Sequence, residues 1–188
     1  MSPIPHDLCA NHLWHNRATM MKVTLPKDLV ELTNLVKQVA REELLPRFNR
    51  VSRQYKRDGS PLTEADLACH HCLEDRLARI WPETGFLSEE LDSSQQQEIL
   101  ELHRNGVWVV DPLDGTTNFI HGAFPFSISV GLAEGDTVVC GIVYEFGRDE
   151  TFYAWKDGGA WLDGKSIRVS QTGTVSQSLI ATGWRSNG

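Results

Sequence analysis

The sequence predicts an α+β fold: two long N-terminal helices packed on a largely antiparallel sheet. Three observations predict it. Apolar residues recur at helical steps in the first part of the chain, at Leu29, Leu32, Val36, Val39 and Ala40, and again at Leu67, Leu73, Leu77 and Ile80. After Asp111 the pattern changes to two-residue alternation, with Phe126, Ile128, Val130 and Leu132 separated by smaller residues. Turn signals then punctuate the chain at Glu134-Gly135-Asp136, Gly147-Arg148-Asp149, Asp157-Gly158-Gly159 and Asp163-Gly164. Helices early and strands late give a meandering sheet with the helices on one face.

The elements follow in order. Residues 1–25 have little periodicity and are expected to form a flexible arm; residues 26–188 form the domain. A first amphipathic helix is expected over 27–45, closing before Pro46. A second runs over 63–80 and stops at Trp81-Pro82. Thr63 suits its N-cap and Asp66 its third position, the two ends of a capping box, where an acidic group also favours the helix's positive end. Phe86-Leu87-Ser88 reads as a short strand, and 94–104 as a third helix ended by Gly106. Val107-Trp108-Val109-Val110 reads as a buried strand, with Asp-Pro and Asp-Gly turning the chain at its end. Further strands are expected over Val138–Tyr144, Thr151–Trp155, Ile167–Val169 and Leu179–Thr182. Trp161-Leu162-Asp163-Gly164 reads as a hairpin turn, and Tyr144, Phe152, Tyr153, Trp155 and Trp161 as packing residues.

Length and composition narrow the class. A chain of 188 residues supports one substantial core. Eighteen basic against 25 acidic residues give a net charge of −7, which argues against nucleic acid as a general partner. No stretch approaches a membrane span and no signal-peptide core is visible, so a cytoplasmic location is expected. The spacing of Cys9, Cys69, Cys72 and Cys140 suggests no disulfide framework. Cys69-His70-His71-Cys72 resembles a metal motif, but four consecutive helical side chains point around the axis and cannot all converge on one ion.

The chemistry concentrates in Asp111-Pro112-Leu113-Asp114-Gly115-Thr116-Thr117. Asp111, Asp114 and the Leu113 carbonyl offer oxygen ligands in a small volume, a set suited to Mg2+ or another hard divalent cation and not to zinc. A second acidic pair, Glu89-Glu90, follows the short strand ending at Ser88 and can stand at the same end of the sheet. Like charges ~4 Å apart repel by about 4 kcal/mol at an effective dielectric near 20, so such a cluster makes sense around cations.

Ser88-Glu89-Glu90 and Asp111-Pro-Leu-Asp-Gly-Thr-Thr-Asn-Phe119 together resemble the inositol monophosphatase family of magnesium-dependent, lithium-sensitive phosphatases. Lys56-Arg-Asp-Gly-Ser-Pro-Leu-Thr-Glu-Ala-Asp66 resembles a third family segment in the same order. The resemblance runs from about Leu29 to Gly188 and covers the family's N-terminal portion. It implies the first part of a layered αβαβα fold, with the family's C-terminal α/β segment absent from this chain. It implies Glu89, Asp111, Leu113 and Asp114 as metal ligands for Mg2+ or Mn2+, with Glu90 in the outer shell. It further implies Thr116, Asp66 and Glu89 as catalytic residues, and Gly115, Thr116 and Lys56 as phosphate-binding ones. The partners implied are a small phosphomonoester and a second copy of the chain in a homo-oligomer. The expected activity is hydrolysis by metal-activated water, impaired by the missing segment. Without that segment, Phe126, Ile128 or their alternating neighbours would line an open apolar face that favours self-association. An inactive metal-binding or subunit-interaction protein is the alternative; a Ca2+-binding structural domain would leave Gly115-Thr116-Thr117 unused.

Overall fold

The apolar stripe of the first helix explains where the chain begins to pack. In a computed structural model describing residues 27–51, 54–55, 61–103 and 106–180, helix α1 spans Lys27–Val39. It continues as a π-helical turn, Ala40–Leu44, and a 3-10 turn, Leu45–Arg47, that takes in Pro46. Leu29, Leu32, Val36, Val39, Ala40 and Leu44 are all buried, so the stripe survives the change of helix type. A two-residue strand β1, Gln54–Tyr55, pairs antiparallel with β2, Pro61–Leu62. Helix α2 then runs over Glu64–Ile80 and buries Ala65, Cys69, Leu73 and Leu77. The expected arm, residues 1–25, lies outside the described residues, as do Cys9 and Lys56.

A seven-stranded sheet receives these helices. Strand β3, Gly85–Ser88, is followed by helix α3, Ser93–Leu102, and strand β4, Val107–Asp114. A short helix α4, Thr116–His121, leads to β5, Ser127–Glu134, and β6, Thr137–Glu145. Strands β7, Glu150–Trp155, β8, Gly159–Leu162, and β9, Lys165–Ile167, complete the sheet in sequence order. Every neighbouring pair in it is antiparallel except β3 with β4, which are joined through α3. One core unites α1 and α2 with the inward face of the sheet, through Trp108, Val110, Phe126, Ile128, Val130, Leu132, Ile142 and Tyr144. The other face is open, with Val109, Val143 and Phe152 partly exposed. Phe126 and Ile128 are thus core residues, and it is residues of the opposite face that stand open. Among the described residues no helix is long and apolar enough to cross a membrane.

Several expectations need correction. The chain does not turn at Asp111: β4 runs on to Asp114, with its register against β5 shifted between Asp111 and Asp114. Helix α3 ends at Leu102, four residues before Gly106. Trp161 and Leu162 belong to β8; the hairpin turn is Asp163-Gly164 alone, both at positive φ. The last strand lies over Lys165–Ile167, not Ile167–Val169, and Leu179 and Ile180 are exposed outside any strand. Alternation was too short in these segments to fix a register. Tyr153, Trp155 and Trp161 do stack on one another, but they also line a cavity of about 490 Å³ against Leu29, Asn34 and Lys37 of α1.

The division of the two faces is testable by urea unfolding. Ile128→Ala, deep in the core, is expected to destabilise the chain by about 2–5 kcal/mol. Val143→Ala, on the open face, is expected to change it by about 1 kcal/mol or less.

Candidate active site

Two features of the sheet bring the acidic residues together. The first is the parallel pairing of β3 with β4, which sets Ser88 opposite Val110. The residues that follow, Glu89 just past the end of β3 and Asp111 still within β4, therefore stand side by side, and the Glu89 N–H donates to the Val110 carbonyl at 3.3 Å. The second is the irregularity in β4. Asp111 pairs with Ser129 and Asp114 with Ser127, so three steps along β4 match two along β5. That is a one-residue bulge. In a regular strand, residues three apart point to opposite faces; the extra residue returns Asp114 to the side of Asp111. It also moves the core-facing position from Val110 to Leu113, both fully or almost fully buried.

Local hydrogen bonds hold this geometry. The Leu113 N–H donates to Asp111 Oδ1 at 3.1 Å. Gly115 follows in the left-handed region, at φ 88°, as N-cap of α4. A Cβ there would meet the Pro125 carbonyl oxygen at 3.0 Å and Phe126 Cα at 3.3 Å, so glycine is required for both backbone and space. Helix α4 is anchored by the fully buried Phe119, whose ring meets Phe48 and Phe126 at centroid distances of 5.3 and 5.4 Å. Asn118 Nδ2 ties its outer side to the Pro125 carbonyl at 2.8 Å.

The start of α2 completes the arrangement. Thr63 is its N-cap: its Oγ1 accepts from the Ala65 N–H at 3.1 Å. Asp66 Oδ2 in turn accepts from the Thr63 N–H at 2.8 Å and the Thr63 hydroxyl at 2.6 Å. The other oxygen, Oδ1, faces the Thr116 hydroxyl at 3.0 Å, and the Leu113 carbonyl lies at the same distance from that hydroxyl. One proton serves two acceptors here, so Thr116 Oγ1 can switch between them. Asp66 is completely buried and has hydrogen bonds to both oxygens, as a buried carboxyl requires. The capping box and the contact with Thr116 coexist.

Electrostatics set this cluster apart from an ordinary acidic surface. Burial, then the charges of Glu89 and Asp114 and a hydrogen bond with Glu89, push Asp111 up to about 7. Glu89 and Asp114 are exposed and Glu90 half-buried. Of the residues expected at the site, the structure thus gathers Asp66, Glu89, Asp111, Leu113, Asp114, Gly115 and Thr116 around the β3–β4 end and the start of α4. Glu90 follows directly on Glu89, and Lys56 lies outside the described residues. The donors are all oxygens, and a cation would relieve the repulsion that raises Asp111, so the residues fit a hard divalent ion.

The sign of the Asp111 effect gives a test. Its folded value of about 7 lies above the ordinary carboxylate value near 3.8, so folding takes up a proton between the two. Stability therefore falls as pH rises from about 4 to about 7, and the loss is complete above that. In chelator, Asp111→Asn is expected to raise Tm at pH 8 by a few degrees, equivalent to about 1 kcal/mol after discounting for solvent screening. The gain should vanish at pH 4. Melting curves at pH 4, 6 and 8 that show the same difference between the two proteins would refute this electrostatic picture.

Comparison with known proteins agrees with the geometry. The profile of the Inositol monophosphatase family matches residues 25–188. Inositol monophosphatase 2 of Solanum lycopersicum is 43% identical over 122 residues, 64% of this chain and 45% of the relative. Inositol monophosphatase of Dictyostelium discoideum is 34% identical over 165 residues, 87% of this chain and 59% of the relative. A solved Thermotoga maritima IMPase superposes with a TM-score of 0.67 at 30% identity, covering 77% of this chain and 54% of that one. The chain spans about half the length of these relatives. A profile match over most of the chain, together with the shared fold, places this chain in the inositol monophosphatase family.

Proposed function

We propose that this chain carries the metal- and phosphate-binding half of a Mg2+-dependent phosphomonoesterase acting on a small phosphorylated alcohol, inositol monophosphate being the substrate that the relatives' names support. The observation that carries this reading is the Thr116 hydroxyl held at 3.0 Å from Asp66 beside the carboxylate cluster of Glu89, Asp111 and Asp114. In this reading Glu89, Asp111, Asp114 and the Leu113 carbonyl hold Mg2+, with Mn2+ as a substitute, and Glu90 supports them from the outer shell. The bound ion would neutralise the phosphate, acidify a water and stabilise the leaving alkoxide.

The chain's own residues do the positioning. Asp66, fixed by the start of α2, accepts the Thr116 proton and so turns an oxygen lone pair of Thr116 outward. That lone pair accepts a hydrogen from the attacking water and aligns it with phosphorus. The Gly115 and Thr116 N–H groups meet the phosphate oxygens, and the resemblance assigns Lys56, outside the described residues, a phosphate-binding role as well. No covalent phosphoenzyme is required. The same reading includes lithium sensitivity, a cytoplasmic location and a homodimeric assembly.

Kinetics of Thr116 variants test the assignment, in the 188-residue chain and in a chimaera extended with the C-terminal half of the Solanum relative. Mg2+ titration of phosphomonoester hydrolysis should show an absolute requirement for metal. Thr116→Ala should lower kcat and kcat/KM together by about 100-fold or more, and Thr116→Ser should keep most of the activity. A raised KM with intact kcat in Thr116→Ala would rule out a role on the attacking water.

A further inference from the structure

The Cys69-His70-His71-Cys72 motif on α2 plays no part in the phosphatase reading, and the helix splits it. Cys69 is fully buried in the core, while Cys72 turns toward Glu42 and Glu43. Those two carboxylates are already engaged, Glu42 by Gln38 and Arg76 and Glu43 by Arg47. The two imidazoles instead meet Glu74, which stands four residues after His70 and three after His71, the spacings that make neighbours on a helix surface. His70 Nε2 lies 3.8 Å and His71 Nδ1 3.9 Å from the same Glu74 oxygen, Oε2. One donor atom from each of the three residues lies within 4.8 Å of the other two.

His70 is the fixed member of the group. Its side chain is only 5% exposed, and its ring packs edge-on against Phe86 with centroids 5.3 Å apart. Nε2, the nitrogen that faces Glu74, lies 3.8 Å from its carboxylate, beyond hydrogen-bond reach, while Nδ1 is buried without a partner. Buried imidazoles ordinarily satisfy their nitrogens. Burial also pushes His70 below its ordinary value, against the opposing pull of Glu74, and so favours the neutral ring that ligates metals.

We propose that His70, His71 and Glu74 form a transition-metal site for Zn2+, separate from the all-oxygen cluster at Asp111. Two imidazole nitrogens and one carboxylate oxygen are a donor set for zinc and not for Mg2+. Tetrahedral zinc at Zn–N distances of about 2.0–2.1 Å separates its donors by about 3.4 Å, so the two gaps to Glu74 Oε2, 3.8 and 3.9 Å, need to close by about 0.5 Å, and the gap between the two imidazoles, within 4.8 Å, by at most about 1.4 Å. His70 is fixed by its packing; His71 and Glu74, with side chains 72% and 48% exposed, are free to make that adjustment. Their exposure leaves the fourth position to water. An ion there clips one turn of α2 immediately beyond the turn that carries Asp66.

Calorimetric titration of the 188-residue chain with Zn2+, and absorption titration with Co2+, test this site. The wild-type chain should bind, and His71→Ala and Glu74→Gln should each weaken binding by at least about tenfold. Both changes are at exposed positions and should leave the far-UV circular dichroism unchanged. Cys72→Ser and Asp111→Asn should bind Zn2+ as the wild type does, and bound Co2+ should show d–d bands without thiolate charge transfer. Wild-type affinity in both His71→Ala and Glu74→Gln would overturn the proposal, as would loss of binding in Cys72→Ser.

Discussion

One extra residue in β4 is the constraint on which the candidate site depends. Without the bulge, Asp111 and Asp114 would point to opposite faces of the sheet, and Leu113 would not reach the core. With it, one strand buries Trp108, Val110 and Leu113 and still presents two carboxylates on the same side. Parallel pairing with β3 then adds Glu89 at the same end. Burial first, and then the charges of Glu89 and Asp114 held close by, push Asp111 up to about 7 in the folded chain. Core packing anchors the segment locally: Leu113, between the two aspartates, and Phe119, in the helix that follows, are completely buried.

Asp66 couples this end of the sheet to the helical layer. Its two oxygens have separate duties: one closes the capping box of α2 and the other reaches the Thr116 hydroxyl. A cap residue is positioned by the helix itself, so Asp66 has little freedom relative to α2. The core that packs Leu73 and Leu77 of α2 with the sheet fixes the helix in turn. The position of the Thr116 hydroxyl is therefore set by the packing of the whole domain and not by helix α4 alone.

Much of this was legible in the sequence because the signals were long or chemically distinctive. The helices at Leu29–Leu44 and Thr63–Ile80 declare themselves by period, and Thr63 with Asp66 by the capping box. The parallel placement of Glu89 beside Asp111 could be anticipated from two short apolar runs that each end in acid. The bulge could not. Asp-Pro and Asp-Gly mark a turn locally, and only pairing against Ser127 and Ser129 of β5 shows that the chain stays in the sheet. Strands β8 and β9 were blurred for a related reason: strands of three or four residues at and next to the sheet's edge bury little, so their side chains carry little alternation. The grouping of His70 and His71 with Glu74 was available from spacing but was obscured by the flanking cysteines.

The central claim is that the bulge assembles a site for a hard divalent cation around Asp111. Mg2+ calorimetry near pH 6.5 in buffers of different ionisation enthalpy tests it most directly. A carboxyl held up at about 7 must lose its proton when it ligates, so binding should release on the order of half a proton or more per ion and the release should disappear in Asp111→Asn. Mg2+ binding with no proton release, or binding that persists at wild-type affinity in Asp111→Asn, would contradict the account.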